Sequence, residues 1–263
     1  MTLPQHPDKH EAPALITPGR DAGTESDGGG DETSGEDAPG RTDLPSGVVL
    51  TFQPSLFEHV VSDRAIEAIE DVGGLFSLHR LAETPDVGVA GDFGIGAPIT
   101  AMVVEALAAR GVDRFCIVGI AGCLQPDVGM GEPVVCTRAL RDEGVSHHYL
   151  APGRWTAADE GMVRRCENAV EDAGLTGHRG PTWTTSAPYR ETVPEIESYA
   201  EDGILTVEME AAALFSVAEY RDVEAGALFT VSDYLGTDEW EPRFDATDEH
   251  LRTLFEVATD ALA

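Results

Sequence analysis

From residue 48 to the C-terminus, short runs of β-branched and other apolar residues alternate with amphipathic stretches, and no other feature of the sequence restricts the fold as tightly. Apolar runs at 48–52, 74–78, 87–90, 115–119, 133–137, 181–185, 204–207 and 226–231 have the length and composition of buried strands. Helical spacing fills the gaps between them. Ile99, Met102, Val103, Ala106 and Leu107 recur on one face after Pro98, a residue suited to a first helical turn, and Gly111 marks the stop. Further helices are predicted over 56–69, 157–173, 194–200, 208–220 and 247–262. Strands that are apolar on both faces need cover on both sides, so the pattern predicts an α/β fold: a three-layer α/β/α sandwich around a mixed, mostly buried β-sheet.

Residues 1–46 break this pattern. They are rich in Pro, Gly, Asp, Glu, Ser and Thr, too poor in large apolar groups to offset chain entropy, and are predicted to form a disordered acidic low-complexity tail ahead of one α/β domain over 47–263. The net charge is -31, and every fixed positive side chain except Lys9 is an arginine. Such a balance argues against nucleic acid and anionic membranes as partners. The acids are spread along the whole chain, which fits solubility in concentrated salt better than a single docking face. Cys116, Cys123, Cys136 and Cys166 form no CxxC pair and have no histidine at metal-ligand spacing, so no metal is expected. The first residues lack an apolar signal segment, and no run of about 18 apolar residues could span a bilayer, so a cytoplasmic protein is expected.

Ligands in sheets of this kind bind near strand ends, and the loops there carry unusual residues. GDFGIGAP, 91–98, places glycines 94 and 96 before a helix start, where the backbone can approach an anion or a sugar oxygen. It is neither a dinucleotide fingerprint nor a P-loop. VGIAGCLQPDVGMGEPVV, 118–135, turns tightly beside the sheet. In TVEMEAAA, 206–213, a buried strand runs into a helix. Helical carboxylates two residues apart point about 200° from each other, so Glu208 and Glu210 are not a one-face dyad: one should face a pocket while the other faces out or caps the helix. Ser232 and Asp233 end the apolar run in LFTVSDYL, where an aspartate serves as a general acid or as a helix cap.

Five stretches in order, GIGAP at 94–98, VGxAGxLQPDVxxG at 118–131, RDEGVSHHY at 141–149, VEMEAAALF at 207–215 and VSD at 231–233, resemble the nucleoside phosphorylase family. The resemblance is to the uridine phosphorylase and hexameric purine nucleoside phosphorylase type, which also includes the methylthioadenosine nucleosidases. It implies a pentosyltransferase that uses phosphate as co-substrate and needs no cofactor, assembled as a homo-oligomer, dimer or hexamer. Glu210 then holds the ribose hydroxyls, Met209 packs under the sugar, and Asp233 protonates a departing purine. Substrate-binding candidates are Glu208, Met209, Glu210, Gly94, Gly96, Tyr189, Arg190 and Ser232, with Asp233 catalytic.

The sequence departs from the family where phosphate is held. Ile117 and Ile120 stand at the positions of an arginine and a hydroxyl residue, and VVLTFQPSLF at 48–57 replaces a GDPxR motif. Isoleucine donates nothing to a phosphate dianion. Arg141, with Arg190, is the candidate phosphate ligand. The alternatives are hydrolysis, with Glu58 the nearest candidate to activate water, and a silent nucleoside-binding sensor. The 184–192 loop stands where the base is read. It lacks a Gln-x-Arg pair for uracil, and Asp233 leans towards purines. Tyr189 could stack on a base, and His147 and His148 could reach the pocket.

Overall fold

A computed structural model of the chain describes residues 9–16, 18, 44–70, 74–235, 241–244 and 247–263. Most of the acidic tail lies outside the described residues, including its low-complexity centre. The strands are β1 (Gly47–Thr51), β2 (Ile66–Ala68), β3 (Ser77–Leu81), β4 (Val87–Gly91), β5 (Arg114–Cys123), β6 (Pro133–Asp142), β7 (Trp155–Ala157), β8 (His178–Thr185), β9 (Thr206–Glu208), β10 (Glu224–Tyr234) and β11 (Glu241–Pro242). The α-helices are α1 (Pro54–Asp63), α2 (Ala97–Ala108), α3 (Glu160–Asp172), α4 (Val193–Glu201), α5 (Ala211–Arg221) and α6 (Asp248–Leu262).

The sheet is mixed and sandwiched between helices. Period-two alternation sends Leu50, Ile117 and Phe229 to one face, where they pack with α2 and α5. Their neighbours Val49, Cys116, Val118 and Leu228 face α1, α3 and α6. One arm runs β5-β1-β4-β3-β2, with β1 parallel to both β4 and β5. The other arm closes on itself: β5 pairs with β10 and β9, and β10-β6-β8-β9 completes the ring. Helix α4 covers this ring through Ile196, which packs with Leu124, Leu140, Trp183 and Val207.

Several boundaries differ from the sequence reading, each for a local reason. The helix expected over 56–69 stops at Asp63, because Arg64 is extended and anchored to Glu83 and Glu256, and β2 follows as a partner for β3. Gly74, at φ +69°, turns the chain, so the strand expected at 74–78 starts only at Ser77. Asp159 caps α3 by accepting from the Met162 N–H at 2.8 Å, which leaves 155–157 to β7. The runs at 115–119 and 226–231 both continue as paired ladder into the 122–123 and 233–234 positions. Small residues allow this close approach: a Cβ on Gly122 would collide with Leu235 and Val207.

Candidate active site

At the far ends of β5 and β10 lies a cavity of about 460 Å³, within the range of small-molecule sites. The β9–α5 junction forms one end. Glu208 is the last residue of β9 and is buried, and its Oε2 accepts from the N–H groups of Glu210 and Ala211, both at 2.7 Å. Thr184 Oγ1 donates to the other oxygen and accepts from the Ala212 N–H at 3.0 Å. This carboxylate therefore caps the first turn of α5, where the helix carries unpaired N–H groups and partial positive charge.

Glu210 is the N-cap residue of α5, and its side chain lines the cavity. Its Oε1 accepts from the Gly96 N–H at 2.6 Å and its Oε2 from the Met209 N–H at 3.3 Å. The contact with Gly96 joins two motifs separated by 114 residues. It depends on a turn only glycine adopts without strain, since Gly94 and Gly96 have φ of +80° and +98°. Neither glycine lines the cavity; Ile95 between them does. Met209 forms part of the cavity wall beside Glu210. Burial raises the proton affinity of both glutamates, and the charge of Glu208 raises that of Glu210 further.

The other acid, Asp233, is aimed by an irregularity in β10. Val231 pairs with Ala121 and Asp233 with Gly122, so Ser232 is an extra residue in the ladder. A bulge of this kind breaks the alternation, and the side chains of Ser232 and Asp233 both line the cavity. Ser232 Oγ donates to Asp233 Oδ1 at 2.6 Å. The empty side of Gly122 lies beneath: a Cβ there would stand 3.3 Å from Asp233 Oδ2.

The third side is the turn at 188–191, where a 3₁₀ segment, Pro188–Arg190, ends at Glu191. Pro188, Tyr189 and Glu191 line the cavity, and Tyr189 is 99% exposed. Burial first, then the charges of Asp233 and Glu195, push the Glu191 carboxyl up to about 7.

The remaining candidates lie elsewhere. Arg141 is buried away from the cavity, its Nε donating to Ser146 Oγ at 3.0 Å and its Nη1 to the Ala151 carbonyl at 2.9 Å. Arg190 is exposed and does not line the cavity. His147 contacts the Arg141 carbonyl, His148 accepts from Lys9, and Glu58 is exposed on α1. Ile117 is core, whereas Ile120 lines the cavity. Among the described residues no arginine, lysine or histidine lines this cavity, while Glu191, Glu208, Glu210 and Asp233 do. Sequence reasoning missed Glu191, Phe52, Gln53 and Phe244. One glutamate in a loop gives no signal in a chain with 48 acidic residues.

Residues 60–262 match the family model described as the phosphorylase superfamily. The chain is 34% identical over 125 residues to a guanosine phosphorylase from Halorubrum lacusprofundi, covering 48% of this chain and 52% of that one. A uridine phosphorylase from Thermococcus kodakarensis is 32% identical, over 48% of this chain and 50% of its own. The chain thus spans about half the length of these curated relatives. A DeoD-type purine nucleoside phosphorylase from Bacillus cereus is 29% identical over a longer stretch, 74% of this chain and 83% of that one. The fold is shared with the crystal structure of a uridine phosphorylase from Vibrio fischeri, at a TM-score of 0.73, 20% identity, and coverage of 84% of this chain and 93% of that one.

Proposed function

The chain belongs to the phosphorylase superfamily, and from that premise we propose that its cavity cleaves the N-glycosidic bond of a nucleoside with inorganic phosphate, giving free base and ribose 1-phosphate. The observation that carries this reading is the placement of Glu210 and Asp233 in one cavity, the first bonded to Gly96 and the second aimed by the Ser232 bulge.

A carboxylate offers about four lone-pair directions, and the two backbone bonds to Glu210 leave it able to accept from the 2′- and 3′-hydroxyls. Met209 packs under the sugar. As the bond from C1′ to the base nitrogen lengthens, positive charge builds on the ribosyl ring, and a fixed carboxylate on its hydroxyls stabilises that charge. Asp233 delivers a proton to the departing base, and phosphate oxygen forms the new bond to C1′. Ser232 holds Asp233 in register, and Glu208 holds the helix end that presents Glu210. Purines come ahead of uridine because a protonated purine nitrogen suits an acid at the Asp233 position. Relatives named guanosine phosphorylase and purine nucleoside phosphorylase support that order, and relatives named uridine phosphorylase keep uridine in play.

Hydrolysis by water is the second reading, favoured by one observation: Ile120 lines a cavity whose described residues include no cation. The test is base release from inosine, adenosine, guanosine, uridine and methylthioadenosine in concentrated salt, with and without phosphate. Phosphate-dependent release is expected. Equal release without phosphate makes the protein a nucleosidase, and binding without turnover makes it a sensor.

The same reading includes a homo-oligomer, dimer or hexamer, supported by exposed Met102 and Tyr220 on the α2–α5 face. It also includes a cytoplasmic setting, supported by four buried, unpaired thiols, and a saline one, supported by the -31 net charge. No described helix is long and apolar enough to cross a membrane.

A further inference from the structure

We infer that residues 9–18 are an intramolecular cap on the α2–α5 face, which competes with a second copy of the chain for that surface and so weakens self-association. The inference rests on the reading of the protein as a homo-oligomer that uses this face, and it names the segment of the chain that opposes assembly there.

A groove of about 860 Å³ runs along this face, away from the cavity described above. Met102 of α2, Tyr220 of α5 and Leu75 line one side of it and are exposed. Lys9, Pro13 and Ile16 line the other side. Four of the ten exposed large apolar side chains among the described residues therefore meet in one groove, a concentration that marks a binding surface. The charged group on its floor is already satisfied, since Glu105 bonds to Arg221 and Tyr149. What an incoming surface gains here is the covering of apolar side chains.

The N-terminal segment is seated there, but lightly. Its 3₁₀ turn, Lys9–Glu11, packs against the turn Ser146–His148, and Lys9 Nζ donates to His148 Nδ1 at 2.6 Å. One hydrogen bond at an exposed site contributes little net stability. The segment also leaves its own Leu15 and Ile16 94% and 88% exposed, so it gains little from apolar burial. Yet it is always at hand. Only 25 residues separate Pro18 from Leu44, and a tether of such length supplies its end at about millimolar effective concentration, far above that of a second copy in dilute solution. A light hold at high local concentration gives partial occupancy, which is the property of a cap that a partner can displace. A face capped about two-thirds of the time is free for a third. Because both copies must be free to pair, the apparent dimer Kd then rises about 10-fold.

The test is sedimentation velocity of the full chain over a range of concentrations in concentrated salt, comparing the wild type with Lys9→Glu. This substitution on an exposed turn removes the bond to His148 and reverses the charge, so the cap should be released. Association should tighten by about 10-fold, and a synthetic peptide of residues 9–18 added to Lys9→Glu should loosen it again. Weaker association of Lys9→Glu would make the segment part of the interface instead of its competitor, and overturns the inference. Equal association of the two proteins also overturns it, while leaving the oligomer reading intact. Hydrogen exchange over 97–108 and 146–150, measured at a dilution where both proteins are monomers, reads the cap without reference to assembly. Faster exchange in Lys9→Glu is expected. If exchange quickens but neither protein associates at any concentration, the oligomer reading fails and the competition with it. If exchange is unchanged, the segment is no cap.

Discussion

At the β9–α5 junction Glu208 accepts from two backbone N–H groups and Thr184, and Glu210 accepts from Gly96. At the 188–191 turn, by contrast, Glu191 faces other acids, and Tyr189 stands 99% exposed. The first region is a strand running into a buried helix, open only to the cavity; the second is a single 3₁₀ turn. Ribose is common to guanosine, adenosine and uridine, and the base is what differs. A rigid, fully bonded junction suits the invariant half of the substrate, and a lightly held turn suits the half that sets preference.

Breaking the rigid end should cost most and should not depend on the base. Glu210→Ala is expected to lower kcat/KM by about 10²–10³-fold, the usual scale for a lost transition-state contact, and by the same factor for guanosine, adenosine and uridine. Steady-state kinetics on the three nucleosides checks both the size and the uniformity. A loss confined to one base would move Glu210 to the base end. Asp233→Asn comes next: turnover of purine nucleosides should fall about 10²-fold, at the lower end for a lost general acid, with KM little changed.

Smaller effects sharpen the contrast in stability. Thr184→Val removes the hydroxyl that donates to Glu208 and accepts from Ala212, leaving a buried N–H without its partner. A loss of about 1–3 kcal/mol is expected, read as a fall in Tm, with lower turnover because the helix end that presents Glu210 is held less firmly. An exposed-side change such as Tyr189→Ala should leave the unfolding free energy within about 0.5 kcal/mol of the wild type.

The pH dependence of stability carries the smallest signal and a definite sign. Glu191 rises from an ordinary 4.5 to about 7, and Glu208 and Glu210 are raised as well. Between those values the folded chain binds more protons than the unfolded chain, so these groups make stability fall as pH rises through the window. In thermal melts at constant high salt, Glu191→Gln should show a shallower fall than the wild type between pH 4.5 and about 7, and Glu210→Gln a shallower fall between pH 4.5 and about 8. A steeper fall would contradict the burial assigned to these acids.

The same contrast explains what could be read in the sequence. The three-layer architecture follows from apolar runs such as 48–52 and 226–231, because a strand buried on both faces leaves a continuous apolar signature. Glu210 and Asp233 are marked out by the resemblance of VEMEAAALF and VSD to the family's motifs, since position alone gives each the reading of a helix-capping acid. The ring closed by β5 and β10 was not legible, since pairing between strands more than 100 residues apart leaves no local pattern. Short strands such as β2 and β7 hide for another reason: each is three residues long, and neither buries a large apolar side chain, so no alternation marks them. Arg141 looked available to phosphate because an arginine after a strand is polar and near a motif. Its commitment to Ser146 and to the Ala151 carbonyl is a tertiary fact. Glu191 was hidden by composition, one acid among many on a turn without periodicity.

The central claim is that a nucleoside held by Glu210 in this cavity is cleaved by phosphate. Phosphorus NMR of the wild type with guanosine and phosphate in concentrated salt tests it directly. A ribose 1-phosphate signal should grow in step with free guanine, and it should be lost in Glu210→Ala. Guanine release without a phosphate ester, or an ester formed equally well by Glu210→Ala, would contradict it.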